Sequence, residues 1–63
     1  MENKTLMSVN ADIVHFELVE KVSNKGITYR ACDIVFADGA RKQIGFALDF
    51  YLIRKLLKKE ADK

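Results

Sequence analysis

With 63 residues, one cysteine, one histidine and no proline, the chain has room for a single domain and lacks the usual staples of a small one. A disulfide needs a second thiol, and a tetrahedral metal site needs more ligands than one Cys and one His supply. Its 49% hydrophobic and 32% charged residues mark a folded chain rather than a disordered one, and its apolar runs fall far short of the roughly 18 residues that a membrane span requires.

The net charge of +2 conceals an asymmetry. Residues 1–20 set Lys4 against Glu2, Asp12, Glu17 and Glu20, whereas residues 21–59 set nine cations against Asp33, Asp38 and Asp49. A solvated surface is the plain reading of such a bias; a basic face for phosphates or for an acidic partner is the functional one. A lone cysteine suits a reducing compartment, and the polar start MENKTLMSVN carries no secretory pattern, so a cytoplasmic protein is expected. A homodimer is the expected remedy for so small a core.

In chain order, residues 1–10 show no clear period. Leu6, Met7 and Val9 allow a short extra strand, an arm on a second subunit or a frayed terminus. From Asp12 to Val22 the apolar residues Val14, Phe16, Leu18 and Val22 alternate with polar ones, a half-buried strand. Ser23, Asn24, Lys25 and Gly26 supply turn chemistry and predict a hairpin.

Ile27 to Ala37 reads as a second strand that changes phase, with Ile27, Tyr29 and Ala31 on one parity and Cys32, Ile34 and Phe36 on the other. A bulge near Ala31 and Cys32 would reconcile the two sets; without one, the strand is apolar on both faces for part of its length. Asp38-Gly39 predicts a two-residue type I′ turn. Residues 40–48 then form a third strand with Ile44, Phe46 and Leu48 directed to the core. Gly45 and Ala47 leave its other side bare enough for a close approach by another group.

The closing segment Asp49 to Lys59, DFYLIRKLLKK, is an amphipathic helix. At about 100° per residue, Phe50, Leu52, Ile53, Leu56 and Leu57 share one broad apolar sector, while Tyr51 lies among Arg54, Lys55, Lys58 and Lys59. Asp49 is placed as the N-cap. The sequence therefore predicts a two-layer α+β fold, one domain over 1–63: a three-stranded antiparallel meander, four-stranded if residues 1–10 add a strand, with one C-terminal helix on one face. The expected core is Phe16, Leu18, Ile34, Phe36, Ile44, Phe46, Leu48, Phe50, Ile53 and Leu57.

The residues argue against catalysis. His15 and Cys32 are the only pair able to form a thiolate and imidazole dyad, and on these parities they point to opposite sides of the sheet. No run of acidic residues has calcium-loop spacing, and Gly26, Gly39 and Gly45 are too dispersed to cradle a phosphate. No catalytic, metal or cofactor site is expected.

Tyr51 within the basic sector combines phosphate neutralisation with an aromatic plane for a base. Arg30 and Arg41 could extend that surface along the sheet. The expected site is thus Arg30, Arg41, Tyr51, Arg54, Lys55, Lys58 and Lys59, in a non-enzymatic module for single-stranded nucleic acid. Four strands followed by a helix, with a basic strand leading into an aromatic-bearing helix over Arg41 to Leu57, resemble the dimeric transcriptional coactivators that bind single-stranded DNA. That resemblance implies an element order and a dimer, and no site residue is carried over from it. The rival expectation is a protein-docking or inhibitor module, such as a phage or mobile-element regulator, working through a bare strand face or an open sheet edge.

Overall fold

Strand alternation followed by a switch to helical period produces the expected two layers. In a computed structural model, which describes the backbone of residues 3–61 and the side chains of residues 3–57, β1 (Lys4–Asn10), β2 (Val14–Val22), β3 (Thr28–Phe36) and β4 (Arg41–Phe46) form one antiparallel sheet in the order β1-β2-β3-β4. Helix α1 (Ala47–Ala61) packs on one face. The optional first strand is present, as an edge strand whose Leu6, Met7 and Val9 lie against the core.

Both later hairpins use three-residue loops. Ser23 N–H donates to Ile27 O and Gly26 N–H to Ser23 O, each at 2.9 Å; Phe36 N–H donates to Ala40 O at 2.7 Å and Gly39 N–H to Phe36 O at 2.9 Å. Gly26 and Gly39 alone among the described residues have positive φ, 80° and 94°. The type I′ turn expected at Asp38-Gly39 is thus replaced by a right-handed turn closed by one left-handed glycine. Asp38 stays right-handed, and its carboxylate accepts the Ala40 N–H at 2.9 Å, which holds the turn from within.

The pairing of β2 with β3 is unbroken from Val14↔Phe36 to Val22↔Thr28, so the bulge expected near Ala31 and Cys32 is not in β3. It lies in β4, where Ile44 is the extra residue between the pairs Cys32↔Gly45 and Asp33↔Gln43. β3 is accordingly apolar on both faces in its centre. Cys32 lies under the helix in a cluster with Leu18 and Phe50, ringed by Met7, Val9, Phe16, Ala47 and Ile53. Val19, Ala31 and Val35 are buried on the opposite, open face.

Ile44, Phe46 and Leu48, expected in the core, are exposed, Leu48 at 81%. The bulge displaces Ile44. The strand ends at Phe46, and the change of period from 2 to 3.6 at Ala47 carries Leu48 away from the sheet. Phe36, also expected inside, is exposed at the strand end.

Asp49 is not the N-cap. It stands at the third helical position, and its Oδ2 accepts the backbone N–H of Phe46 at 2.8 Å, the reach-back half of a capping box. This also accounts for Gly45. A Cβ there would stand 2.9 Å from Asp49 Cβ and closer still to Cγ and Oδ2, so the close approach foreseen at Gly45 is made by the chain's own capping carboxylate. Gly45→Ala is expected to cost about 1–2 kcal/mol, the scale of a lost cap. Asp49→Ala should cost about as much, and the double variant less than the sum, because both changes remove the same bond. Additive losses in urea titrations would show that Gly45 is there for another reason.

Candidate nucleic-acid interface

The charged residues divide between the two faces in very different states. On the open face, Glu17 and Asp33 lie directly opposite each other on β2 and β3, and cations bridge them. Arg41 contacts Glu17 and, through Nε, Asp33 Oδ2 at 3.4 Å; Lys21 Nζ donates to Asp33 Oδ1 at 2.9 Å and to Gln43 Oε1 at 3.2 Å. His15 Nε2 lies 2.9 Å from Glu17 Oε2, and Thr5 donates to Glu17 Oε1 at 3.3 Å. To reach Asp33 from its place opposite Tyr29, Lys21 must lay its aliphatic stem over the Val19–Ala31 rung. With Phe46 beside Ala31 on the same face, that stem helps to bury two apolar side chains on a face no other layer covers.

Burial pushes the Glu17 carboxyl up, but hydrogen bonds from His15, Arg41 and Thr5 together with the Arg41 charge outweigh it and hold the pKa below the ordinary value. A carboxylate with a depressed folded pKa adds stability that is complete above its unfolded pKa and is lost as pH falls through the folded one. The stability gap between the wild type and Glu17→Gln should therefore be constant near neutrality and shrink as pH drops below 4.5. Thermal melts at stepped pH measure it; a gap that widens on acidification would reverse the sign.

On the helix side, Phe50, Ile53 and Leu57 turn towards the sheet. Arg54 and Lys55 are exposed, and Tyr51, 40% exposed, meets the Phe50 ring edge-on with centroids 5.7 Å apart. That contact fixes the Tyr51 ring while leaving part of it open to solvent. Among the described residues, every ion pair lies on the open face, and Arg30, Arg54 and Lys55 take part in none.

Of the seven residues expected from sequence, Tyr51, Arg54 and Lys55 come together on the helix flank. Arg30 lies on the same side of the sheet, pairing across from Glu20 beside a cleft of about 670 Å³ that Phe46 and Leu48 also line. Arg41 points from the other face into the carboxylate network and is not joined to this group. The side chains of Lys58 and Lys59 lie outside the described residues.

Sequence reasoning missed the open-face network. The signal was present: Glu17, Lys21, Asp33, Arg41 and Gln43 share one parity once the register is known. Cys32 and His15 fall on opposite faces, as their parities indicated. Burial, with the charges of Asp49 and Asp33, pushes the Cys32 thiol upward, which keeps it from forming a thiolate. The described residues hold no cluster of three or more His, Cys, Asp or Glu able to grip a metal ion. No helix is long and apolar enough to cross a membrane. No family model, curated protein or solved structure matches the chain.

Proposed function

We propose that the protein is a non-enzymatic binding module that holds single-stranded nucleic acid on the helix flank formed by Tyr51, Arg54 and Lys55, with Arg30 at the near end of the sheet as a further phosphate contact. One observation carries this reading. The partly open ring of Tyr51 stands between two cations that have no carboxylate partner among the described residues, while Lys21 and Arg41 on the open face are already paired with carboxylates. A free guanidinium and ammonium favour phosphate by releasing condensed counterions, and an exposed ring offers any base a stacking plane, so the preference is for backbone and base stacking rather than for sequence.

The test is fluorescence anisotropy of a labelled single-stranded oligonucleotide. Binding should weaken linearly in log–log form with salt, at about −0.7 per phosphate neutralised. Tyr51→Ala should cost about 1–3 kcal/mol, the worth of one stacked base, and Arg54→Gln with Lys55→Gln should flatten the salt slope. Absence of binding at low salt, or binding indifferent to Tyr51, would sink the reading in favour of protein docking.

A further inference from the structure

Burial on the sheet uses only part of the helix's apolar sector. Leu48, Leu52 and Leu56, spaced four apart and therefore adjacent along one stripe, are 81%, 58% and 60% exposed. We propose that this stripe is a self-association face, occupied by the stripe of a second copy of the chain.

The area of the molecule supports that occupant. The chain exposes 4878 Å², whereas a free-standing monomer of 7.2 kDa is expected to expose about 4,100 Å². The excess of roughly 780 Å² is close to the ~800 Å² per partner that a standard interface removes. The radius of gyration, 12.3 Å, likewise exceeds the ~10.6 Å of a compact domain of this length. Uncharged leucines in a row, with no carboxylate or hydroxyl interrupting them, suit a copy of themselves better than an acidic or phosphorylated partner.

The pairing has a geometric consequence. On the helix the stripe lies between the sheet-facing residues and the Tyr51 flank, so two helices packed antiparallel about a two-fold axis bring both flanks to the same side of the dimer. This consequence rests on the nucleic-acid reading; the dimer itself does not.

Sedimentation equilibrium without nucleic acid separates the two. The wild type should approach twice 7.2 kDa as concentration rises. Leu52→Ala with Leu56→Ala should weaken association by on the order of 100-fold, while Ile13→Ala with Ile27→Ala, exposed but off the stripe, should leave it unchanged. Alanine favours helix and both leucines are exposed in one copy, so the stripe variant should keep its helical circular dichroism. As a second readout that tolerates marginal folding, the Tm of the wild type should rise with protein concentration and that of Leu56→Gln should not. A wild type that is monomeric at every concentration overturns the proposal, as does a dimer indifferent to the stripe changes or one broken by the control pair.

Discussion

Phe50→Ala should leave the protein largely unfolded at room temperature. Phe50 is fully buried, the largest such side chain among the described residues, and it is the helix residue at the centre of the cluster with Leu18 of β2 and Cys32 of β3. Truncating a buried phenylalanine costs about 3–5 kcal/mol, the lost transfer energy plus the cavity left behind. A core in a chain this short supplies rarely more than about 3–5 kcal/mol of net stability, so one substitution consumes the margin. Phe50→Leu should fall between, and Leu52→Ala, two residues on and exposed on another side of the helix, should cost less than about 1 kcal/mol in the single chain. Circular dichroism during heating reads all three. A cooperative melt for Phe50→Ala within a few degrees of the wild type would mean that the helix is not held by this contact.

Asp33→Ala is expected to be the most damaging polar substitution, at about 2–3 kcal/mol. Removing one partner of a buried ion pair typically costs 3–5 kcal/mol because the other charge is left uncompensated. Here the figure is lower because Arg41 is half exposed and Lys21 can extend to water. Two controls separate charge from packing. Lys21→Met keeps the stem over Val19 and Ala31 and leaves Asp33 paired with Arg41, so it should cost about 1 kcal/mol or less, whereas Lys21→Ala uncovers that rung and should cost more. Chemical denaturation resolves the series. If Asp33→Ala stays within about 0.5 kcal/mol of the wild type, the network is only a surface ornament of the kind exposed ion pairs usually are.

These two positions show what could and could not be read in advance. Phe50 was legible because a helical period places it with Ile53 and Leu57, and helical geometry is local. Asp33 was not, because its worth depends on Lys21 and Arg41 arriving from two other strands. The same distinction runs through the site. Tyr51, Arg54 and Lys55 are neighbours by helical spacing alone, and the structure keeps them together. Arg41 and Arg30 could be joined to them only by assuming which face of the sheet each occupies, and Arg41 proves to lie on the other one.

The chain's own residues dictated the three later strands and the helix, their order, both glycine-closed turns as locations and the opposition of His15 to Cys32, since each follows from local chemistry and the period of side chains along single segments, whereas residues 1–10 became an edge strand only through pairing with β2. Only the tertiary structure decided the register bulge at Ile44, the role of Asp49 against Gly45, the exposure of Phe46 and Leu48, and the carboxylate network beneath Arg41 and Lys21. Each of those depends on how far one strand slides along the next and where the chain leaves it. A shift of one residue there exchanges the two faces of a sheet without altering any local preference.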